Sequence, residues 1–323
     1  MKRPRIVVLG SLVFDFVTRA PRLPREGETL LGDLFGMFPG GKGANQAVQA
    51  ARLGSEVFMI GRVGRDLPGE RLLASLRESG VVTDFVKQDA TVKTAACCIH
   101  VDAQGHNAII MVPEANMACG REDVDAAAPV IQSADILLCQ LEIPVATVTY
   151  AVTLAAEYHV RVILNPAPAQ HLPDALLAHV TVLTPNESEA EVLAGFAVNR
   201  NADPRTGYHP SVAEAARKLL GSGPQAVIIT LAENGAFLAT HETLHLYPAY
   251  RVTVVDTTAA GDAFSGAVAV ALGEGSAVED AIRFANAAGA LAATRAGAQP
   301  SLASRAEVEA LMMQPVRGLQ GQH

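Results

Sequence analysis

The 323-residue sequence has no tryptophan, only four cysteines, and no apolar run near the roughly 20 residues that a membrane-spanning helix needs. Its basic start is followed by an apolar stretch that ends at Gly10, with Asp15 soon after. This start predicts a buried first strand rather than a signal peptide. The cysteines form no Cys-x-x-Cys pair, which favours reduced thiols and a cytoplasmic location. They are Cys97, Cys98, Cys119 and Cys139.

The chain also lacks an excess of positive charge. It carries 25 Lys and Arg against 33 Asp and Glu, a formal net charge of −8. An acidic chain without a basic stripe binds nucleic acids and anionic lipid surfaces poorly, so we expect neither partner. Half of the residues are hydrophobic and 18% are charged, as in an ordinary soluble domain with a sizeable core.

Short apolar runs alternate with longer helical patterns along the chain. The predicted strands are Ile6–Leu9, Val57–Ile60, Ile136–Cys139, Val160–Leu164, Val180–Thr184, Ala226–Thr230 and Val252–Val255. The predicted helices are Ala44–Leu53, Gly69–Ser79, Ala146–Glu157, Glu187–Ala194, Val212–Leu220, Ala263–Leu272 and Val278–Thr294. Strands that are apolar throughout are typical of a parallel sheet covered on both faces. The pattern predicts an α/β fold in one domain, residues 1–313.

Two segments interrupt this alternation. Leu12–Phe38 is rich in Gly, Pro and Phe, and Thr94–Val112 reads as a hairpin around the turn Asp102–Gly105. We expect their strands to form a small sheet that covers the edge of the large one as a lid. The polar stretch Asn199–Pro210 predicts a solvent loop, and residues 314–323 predict a frayed tail.

Ligands of open α/β sheets bind beyond the carboxyl ends of the strands, so we expect the functional residues there. The first such turn reads Gly10-Ser-Leu, which lacks the Gly-x-Gly-x-x-Gly of dinucleotide-binding dehydrogenases. The segment PGGKGAN, residues 39–45, offers close backbone approach and the donors Lys42 and Asn45. It resembles a P-loop, but Gly43 stands where that motif needs Ser or Thr. A glycine turn with a solvated lysine is the alternative interpretation.

Two further segments each have two interpretations. In TPNESEAE, Asn186 and Glu189 are spaced either for a helix capping box or for a magnesium–phosphate complex. Glu142, after the strand Ile136–Cys139, either accepts hydrogen bonds from a polyol or starts a surface helix. The residues alone do not separate these alternatives.

The segment DTTAAGD, residues 256–262, is the most informative. Its small residues let backbone N–H groups converge at a helix N-terminus, which favours an anion. Asp262 beside such a site would repel the anion, so we interpret it as a base for an attacking hydroxyl. The alternative is a carboxylate that only interacts with the helix dipole.

In this order, GGKGANQA, LNPAPA, TPNESEAE, DTTAAGDAFSGA and TRAGAQPS resemble the ribokinase family of sugar kinases, the PfkB carbohydrate kinases. The resemblance extends from about Ile6 to Leu311. It implies a three-layer sandwich with a small β lid through which members often dimerise. It also implies ATP, Mg²⁺ and K⁺ as cofactors and the 5-hydroxyl of D-ribose as acceptor. Deoxyribose, a ketohexose, adenosine and a non-catalytic sugar-binding role are the alternatives.

The resemblance also implies a role for individual residues. The catalytic base is Asp262, with an anion hole formed by the amides of Ala259, Ala260 and Gly261. The sugar-binding residues are Asp15, Gly41, Lys42, Asn45, Glu142 and Asp262. The nucleotide-binding residues are Asn186, Thr230, Gly235, Gly261 and Asn286. Glu189 holds magnesium through water, and the potassium residues are Asp256, Thr258, Ala292, Arg295, Gly297 and Ser301. Two positions depart from the family pattern: Val13 replaces a common Asn, and Ala232 replaces a usual Gly.

Overall fold

The computed structural model describes residues 3–199 and 209–314. The strands are β1 (Arg5–Leu9), β2 (Val13–Arg19), β3 (Leu34–Gly40), β4 (Glu56–Gly64), β5 (Val81–Asp89), β6 (Ala95–Val101), β7 (Asn107–Val112), β8 (Ile136–Cys139), β9 (Arg161–Leu164), β10 (Val182–Leu183), β11 (Ala226–Thr230), β12 (Ala236–Ala239) and β13 (Leu244–Tyr247). The helices are α1 (Lys42–Arg52), α2 (Leu67–Glu78), α3 (Arg121–Ala126), α4 (Ala128–Gln132), α5 (Val145–Glu157), α6 (Asp174–Leu177), α7 (Glu187–Ala194), α8 (Pro210–Leu220), α9 (Ala260–Glu274), α10 (Val278–Ala292) and α11 (Arg305–Met312).

Within these residues the strands form a large sheet in the order β13-β12-β11-β10-β9-β8-β1-β4-β5. The pairs from β11 to β5 are parallel, and β12 and β13 add an antiparallel edge. Side chains of one strand alternate between two cores: Ile6 and Val8 pack with α1, α2, α9, α10 and α11, whereas Val7 and Leu9 pack with α3 to α8. The predicted α/β fold, with helices on both faces of the sheet, is confirmed.

The second sheet has the order β3-β2-β6-β7. Its strands come from the two segments that interrupt the α/β alternation, as predicted, and the turn at Asp102–Gly105 closes the β6–β7 hairpin. The buried Asn116 holds the segment that connects β1 to β2 of this sheet. Its side chain accepts a 3.0 Å hydrogen bond from the Leu12 amide and donates a 3.1 Å bond to the Leu12 carbonyl.

The predicted strand Val252–Val255 is wrong. These residues form an irregular connection between β13 and α9, in which Val254 and Val255 are 59% and 62% exposed. The apolar β-branched run imitates a buried strand, but it pairs with no strand of either sheet. The amides of Val255 and Asp256 donate instead to the Ala293 carbonyl. Strands β5, β12 and β13 were not predicted.

The structure describes only the ends of the predicted loop, Asn199–Pro210, and the first residue of the predicted tail, residues 314–323. Pro210 begins α8 rather than ending a loop. Residues 200–208 of the predicted loop, and 315–323 of the predicted tail, lie outside the described residues. No helix in the described part of the chain is long and apolar enough to cross a membrane.

Candidate active site

The carboxyl ends of the central strands meet the first turns of α1, α7 and α9 around a cavity of about 210 Å³. Seven residues of its wall are among those predicted from the sequence: Lys42, Asn186, Glu189, Thr230, Ala259, Gly261 and Asp262. The cavity therefore lies at the edge of the sheet where the topological rule for open parallel sheets predicts a ligand site.

Asp262 lies in the first turn of α9 and is 8% exposed. Its carboxylate accepts two amide hydrogen bonds, from Asn45 Nδ2 at 2.9 Å and from Gln46 Nε2 at 3.0 Å. Burial raises the pKa of Asp262, while the nearby Lys42 ammonium and the two amides act in the opposite direction. A buried carboxylate of raised pKa at the cavity wall has the properties of a general base.

Glu142 organises the part of the site at the β1 and α1 termini. Its Oε2 accepts a 2.5 Å hydrogen bond from Ser11 Oγ and a 3.3 Å bond from the Lys42 amide. Burial and the neighbouring Glu142 raise the pKa of Asp15 to about 7. The Lys42 pKa is also raised: burial alone would lower it, but the carboxylates of Asp262, Glu142 and Glu189 outweigh that effect. The structure thus brings the predicted sugar-binding side chains together.

Two features of the α1 N-terminus fit a polar ligand. Gly41 has φ 91°, and a Cβ there would lie 2.7 Å from the Val13 amide nitrogen, so only glycine allows the helix to begin against β2. One turn on, Asn45 Oδ1 is buried without a hydrogen-bond partner among the described residues. A hydroxyl group bound beside Asp262 would satisfy this acceptor.

The turn before α9 has the shape expected of an anion site. Ala259 adopts φ 60° as the N-cap, and the first amides of a helix lack intrahelical partners. The Ala260 amide, however, already donates to the Thr257 carbonyl at 3.2 Å, which leaves Gly261 and Asp262 as the better donors. A Cβ at Gly261 would meet no heavy atom of the protein within 4 Å. The glycine therefore keeps open a space that the protein itself does not fill.

A second cavity of about 870 Å³ adjoins the first and shares Asn186, Thr230, Thr257 and Gly261 with it. The predicted nucleotide-binding residues all line it: Asn186, Thr230, Gly235, Gly261 and Asn286. Asn286 also fixes its rim by donating hydrogen bonds to the carbonyls of Tyr247 and Pro248 at 3.1 and 3.2 Å.

Asn186 and Glu189 form the capping box of α7. Asn186 Oδ1 accepts from the Glu189 amide at 2.8 Å, and Glu189 Oε2 accepts from the Asn186 amide at 2.8 Å. Both residues also line the 210 Å³ cavity, so the capping role and a role towards a ligand coexist in this geometry. Burial raises the pKa of Glu189, against the effect of the Asn186 amide and Lys42.

The predicted potassium residues lie around the turn that precedes α9. Asp256 accepts hydrogen bonds from the Thr258 amide and hydroxyl at 2.9 and 2.7 Å, and from the Gly297 amide at 2.8 Å. Arg295 pairs with Glu307 rather than with Asp256. The Ala292 carbonyl accepts from the Arg295 amide, and Ser301 Oγ donates to the Ala298 carbonyl. The described residues hold no His, Cys, Asp and Glu cluster of metal-binding form.

Four residues that hydrogen-bond around Glu142 and Asp262 were given no role from the sequence: Ser11, Gln46, Gln140 and Asn165. Gln140 directly follows β8 and Asn165 directly follows β9, so the strand-end rule was the signal that could have found them. Gln46 lies inside α1, where a lone glutamine carries no such signal.

The chain matches the model of the "pfkB family carbohydrate kinase" over residues 3–305. It is 38% identical to a ribokinase of Haemophilus influenzae, over 94% of this chain and 97% of that protein. It is 35% identical to a deoxyribokinase of Salmonella typhimurium, over 93% and 95%. Among solved structures, the ribokinase of Arabidopsis thaliana complexed with ribose and ATP superposes with a TM-score of 0.87 at 31% identity, covering 97% of this chain and 100% of that one.

Proposed function

The chain belongs to the pfkB family of carbohydrate kinases, phosphotransferases with an alcohol acceptor, and from that premise we propose that it transfers the γ-phosphoryl group of ATP to the 5-hydroxyl of D-ribose. The observation that carries this proposal is the buried Asp262 carboxylate at the N-terminus of α9, in the wall of the 210 Å³ cavity that adjoins the larger one. The ribokinase relatives, and the neighbour that binds ribose and ATP, support ribose as the sugar.

In this proposal the sugar occupies the polar region around the α1 N-terminus. The charged side chains Asp15, Lys42 and Glu142, the amide of Asn45 and the backbone at Gly41 orient its hydroxyl groups. Asp262 accepts the proton of the attacking hydroxyl as the phosphoryl group arrives. Phosphoryl transfer depends mainly on positioning and charge neutralisation, so this one base suffices.

ATP occupies the 870 Å³ cavity, with its terminal phosphate at the turn of α9. The amides of that turn stabilise the charge of the transferring phosphoryl group, as oriented N–H groups at a helix N-terminus do. The open space beside Gly261 supports this placement, because any larger residue would project into it.

Magnesium and potassium belong to the same proposal. Magnesium would neutralise charge on the phosphates. Both Glu189 carboxylate oxygens already accept hydrogen bonds from Asn186. This geometry favours binding of magnesium through a water molecule rather than direct ligation by Glu189. Potassium would lie among the oxygen atoms near Asp256, Thr258, Ala292, Arg295, Gly297 and Ser301.

We further propose a cytoplasmic homodimer that pairs through the small sheets, with no nucleic-acid or membrane partner. Exposed apolar side chains on this sheet support pairing: Phe35 and Ile110 are each 66% exposed. The four cysteines are free in the structure, which is consistent with a reducing compartment.

2-Deoxyribose is the second candidate acceptor. Val13 and Asp15 lie on the same face of β2, two residues apart, so an apolar side chain stands beside a predicted sugar carboxylate. If the sugar lacks a hydroxyl group at this point, an apolar side chain such as Val13 loses no hydrogen bond, whereas a polar side chain would be left unpaired.

An ATP-consumption screen tests the proposed function. The purified chain is assayed with ribose, 2-deoxyribose, fructose and adenosine at matched concentrations, and the site of phosphorylation is read by NMR. We expect the highest kcat/KM for ribose, with the product phosphorylated at O5. A preference for 2-deoxyribose would make that sugar the assigned substrate. If none of the four acceptors supported ATP consumption, the proposal would be overturned.

A further inference from the structure

Gln46 touches the base directly although it lies one residue beyond the predicted sugar motif. Its Nε2 donates to Asp262 Oδ1 and to Asn165 Oδ1, at 3.0 Å each. Its Oε1 accepts a 2.6 Å hydrogen bond from Gln140 Nε2. Gln46 and Gln140 are both fully buried. If either amide lost a hydrogen-bond partner, bulk water could not take that partner's place.

The partners of Gln46 determine which way its amide faces. Gln140 fills the carbonyl end, and a reversed amide would place that carbonyl against the Asp262 carboxylate. Asn165 is held in turn, because its Nδ2 donates to the Thr184 carbonyl at 3.0 Å. The two residues that fix the Gln46 amide therefore follow β8 and β9, and they belong to the rigid centre of the sheet.

Gln140 is itself held by close packing. A Cβ at Gly10 would lie 1.9 Å from Gln140 Oε1, so the glutamine amide lies directly against the backbone of the β1 terminus. The hydrogen-bonded series Gln140–Gln46–Asp262 thus connects the end of β8 to the first turn of α9 through α1. Each link is shielded from solvent.

We propose that Gln46 is a positioning residue that holds the Asp262 carboxylate in its reactive orientation and in its ionised form, with Gln140 setting the direction of the Gln46 amide. This inference rests on the proposed kinase function, since it concerns the base of that reaction. Asn45 holds the other oxygen of Asp262, so loss of Gln46 leaves the carboxylate attached at one side and free to rotate.

The charged groups that face Asp262 are Lys42 from α1, Glu142 from the end of β8 and Glu189 from α7. They remain in a Gln46→Met variant, whose unbranched side chain fills a similar volume without donating a hydrogen bond. Removal of a donor to the charged form raises the pKa of Asp262. We expect kcat at neutral pH to fall about 10- to 100-fold, with KM for the sugar changed far less. The acid limb of the pH–kcat profile should move to higher pH, with partial recovery of activity in alkaline buffer.

Gln49→Met is the matched control. Gln49 lies one turn further along α1, is equally buried, and donates to the Ala303 carbonyl instead of to Asp262. We expect its acid limb to coincide with that of the wild type. Equal loss of kcat in both variants, with no movement of the acid limb in either, would reduce Gln46 to a structural role.

Gln140→Met provides a second route that leaves Gln46 and Asp262 in place. We expect a smaller loss of the same kind, and no further loss when it is added to Gln46→Met, because the two act as one unit. If the losses of kcat in the two single variants instead added up in the double variant, Gln140 would not act through Gln46, which would contradict the proposal.

Carboxyl ¹³C NMR of the ligand-free protein gives a readout that needs no turnover. The Asp262 signal is the one absent from Asp262→Asn, and its titration is compared between wild type and Gln46→Met. A higher pKa in the variant supports the proposal, and an unchanged pKa overturns it. Absence of sugar phosphorylation by the wild type would instead overturn the proposed function, so the two failures are distinguishable.

Discussion

Asn45 and Asp262 lie 217 positions apart in the sequence and are joined by a 2.9 Å hydrogen bond between amide and carboxylate. This contact joins the N-terminus of α1, which carries the predicted sugar-binding residues, to the N-terminus of α9, which carries the predicted anion site. The next residue of α1, Gln46, also donates to Asp262, so the predicted base is held from the helix that carries the predicted sugar-binding residues.

Sugar binding should depend on pH through Asp15. Its pKa is raised to about 7, because burial and Glu142 disfavour the charged carboxylate. A carboxylate accepts hydroxyl hydrogen bonds better than a neutral acid, so KM for the sugar should fall as pH rises from 6 to 8. Asp15→Asn should bind more weakly and lose this dependence. The same pH dependence of KM in wild type and variant would contradict the assignment.

The same group should also affect stability. The Asp15 pKa is higher in the folded chain than in an unfolded one, so ionisation opposes folding. The stability that protonated Asp15 gives the folded chain is fully present at acid pH. This stability declines as the pH rises above about 4 and is lost as the pH passes through about 7. Relative to Asp15→Asn, the melting temperature of the wild type should therefore fall between pH 5 and pH 8. If the melting temperatures of the wild type and Asp15→Asn changed with pH in the same way, Asp15 would not titrate between pH 5 and pH 8.

Glu189→Gln separates the two roles of the capping box. Glutamine still accepts a hydrogen bond from the Asn186 amide, so the melting temperature should barely change. Loss of the carboxylate should raise the magnesium concentration for half-maximal rate by roughly tenfold. An unaltered magnesium titration would leave Glu189 with the capping role alone.

Potassium should activate the enzyme relative to sodium. Asp256 connects the turn before α9 to Gly297, because it accepts two hydrogen bonds from Thr258 and one from the Gly297 amide. A cation held there would therefore order the anion site. Rates are compared in matched potassium and sodium chloride. We expect higher kcat in potassium, and a smaller difference in Asp256→Ala. Equal rates in the two salts would contradict potassium binding.

Asn116→Ala should destabilise the chain by roughly 2–4 kcal/mol, because it leaves the buried amide and carbonyl of Leu12 without partners. Urea unfolding measures the change, and Asn107→Ala on the exposed strand β7 is the control. A loss below about 1 kcal/mol would show that water or a backbone shift satisfies Leu12 instead.

The sequence predicted the part of the molecule that local pattern determines. Buried parallel strands such as Ile136–Cys139 are apolar throughout, and the strand-end rule then predicts function for the residues just beyond them, such as Glu142. Val252–Val255 has the same local pattern but lies at a surface where no strand pairs with it, and only the tertiary structure reveals that.

The hydrogen bonds of Gln46 could not be predicted for a related reason. Its partners Gln140, Asn165 and Asp262 are 94 to 216 positions away. A glutamine inside a helix has no local feature that distinguishes a surface side chain from one that holds a base. The proposed role follows from the packing of α1 against both the sheet and α9.

The central claim is that Asp262 is the base of a phosphoryl transfer to a sugar, and Asp262→Asn tests it most directly. Asparagine keeps the shape of the side chain but cannot accept the proton. Turnover of ATP with ribose is measured by coupled assay, and ribose binding by calorimetry, in wild type and variant. We predict a loss of kcat of roughly 10²–10⁴-fold, with ribose affinity changed much less. A variant that binds ribose and turns over at a rate near that of the wild type would contradict the account.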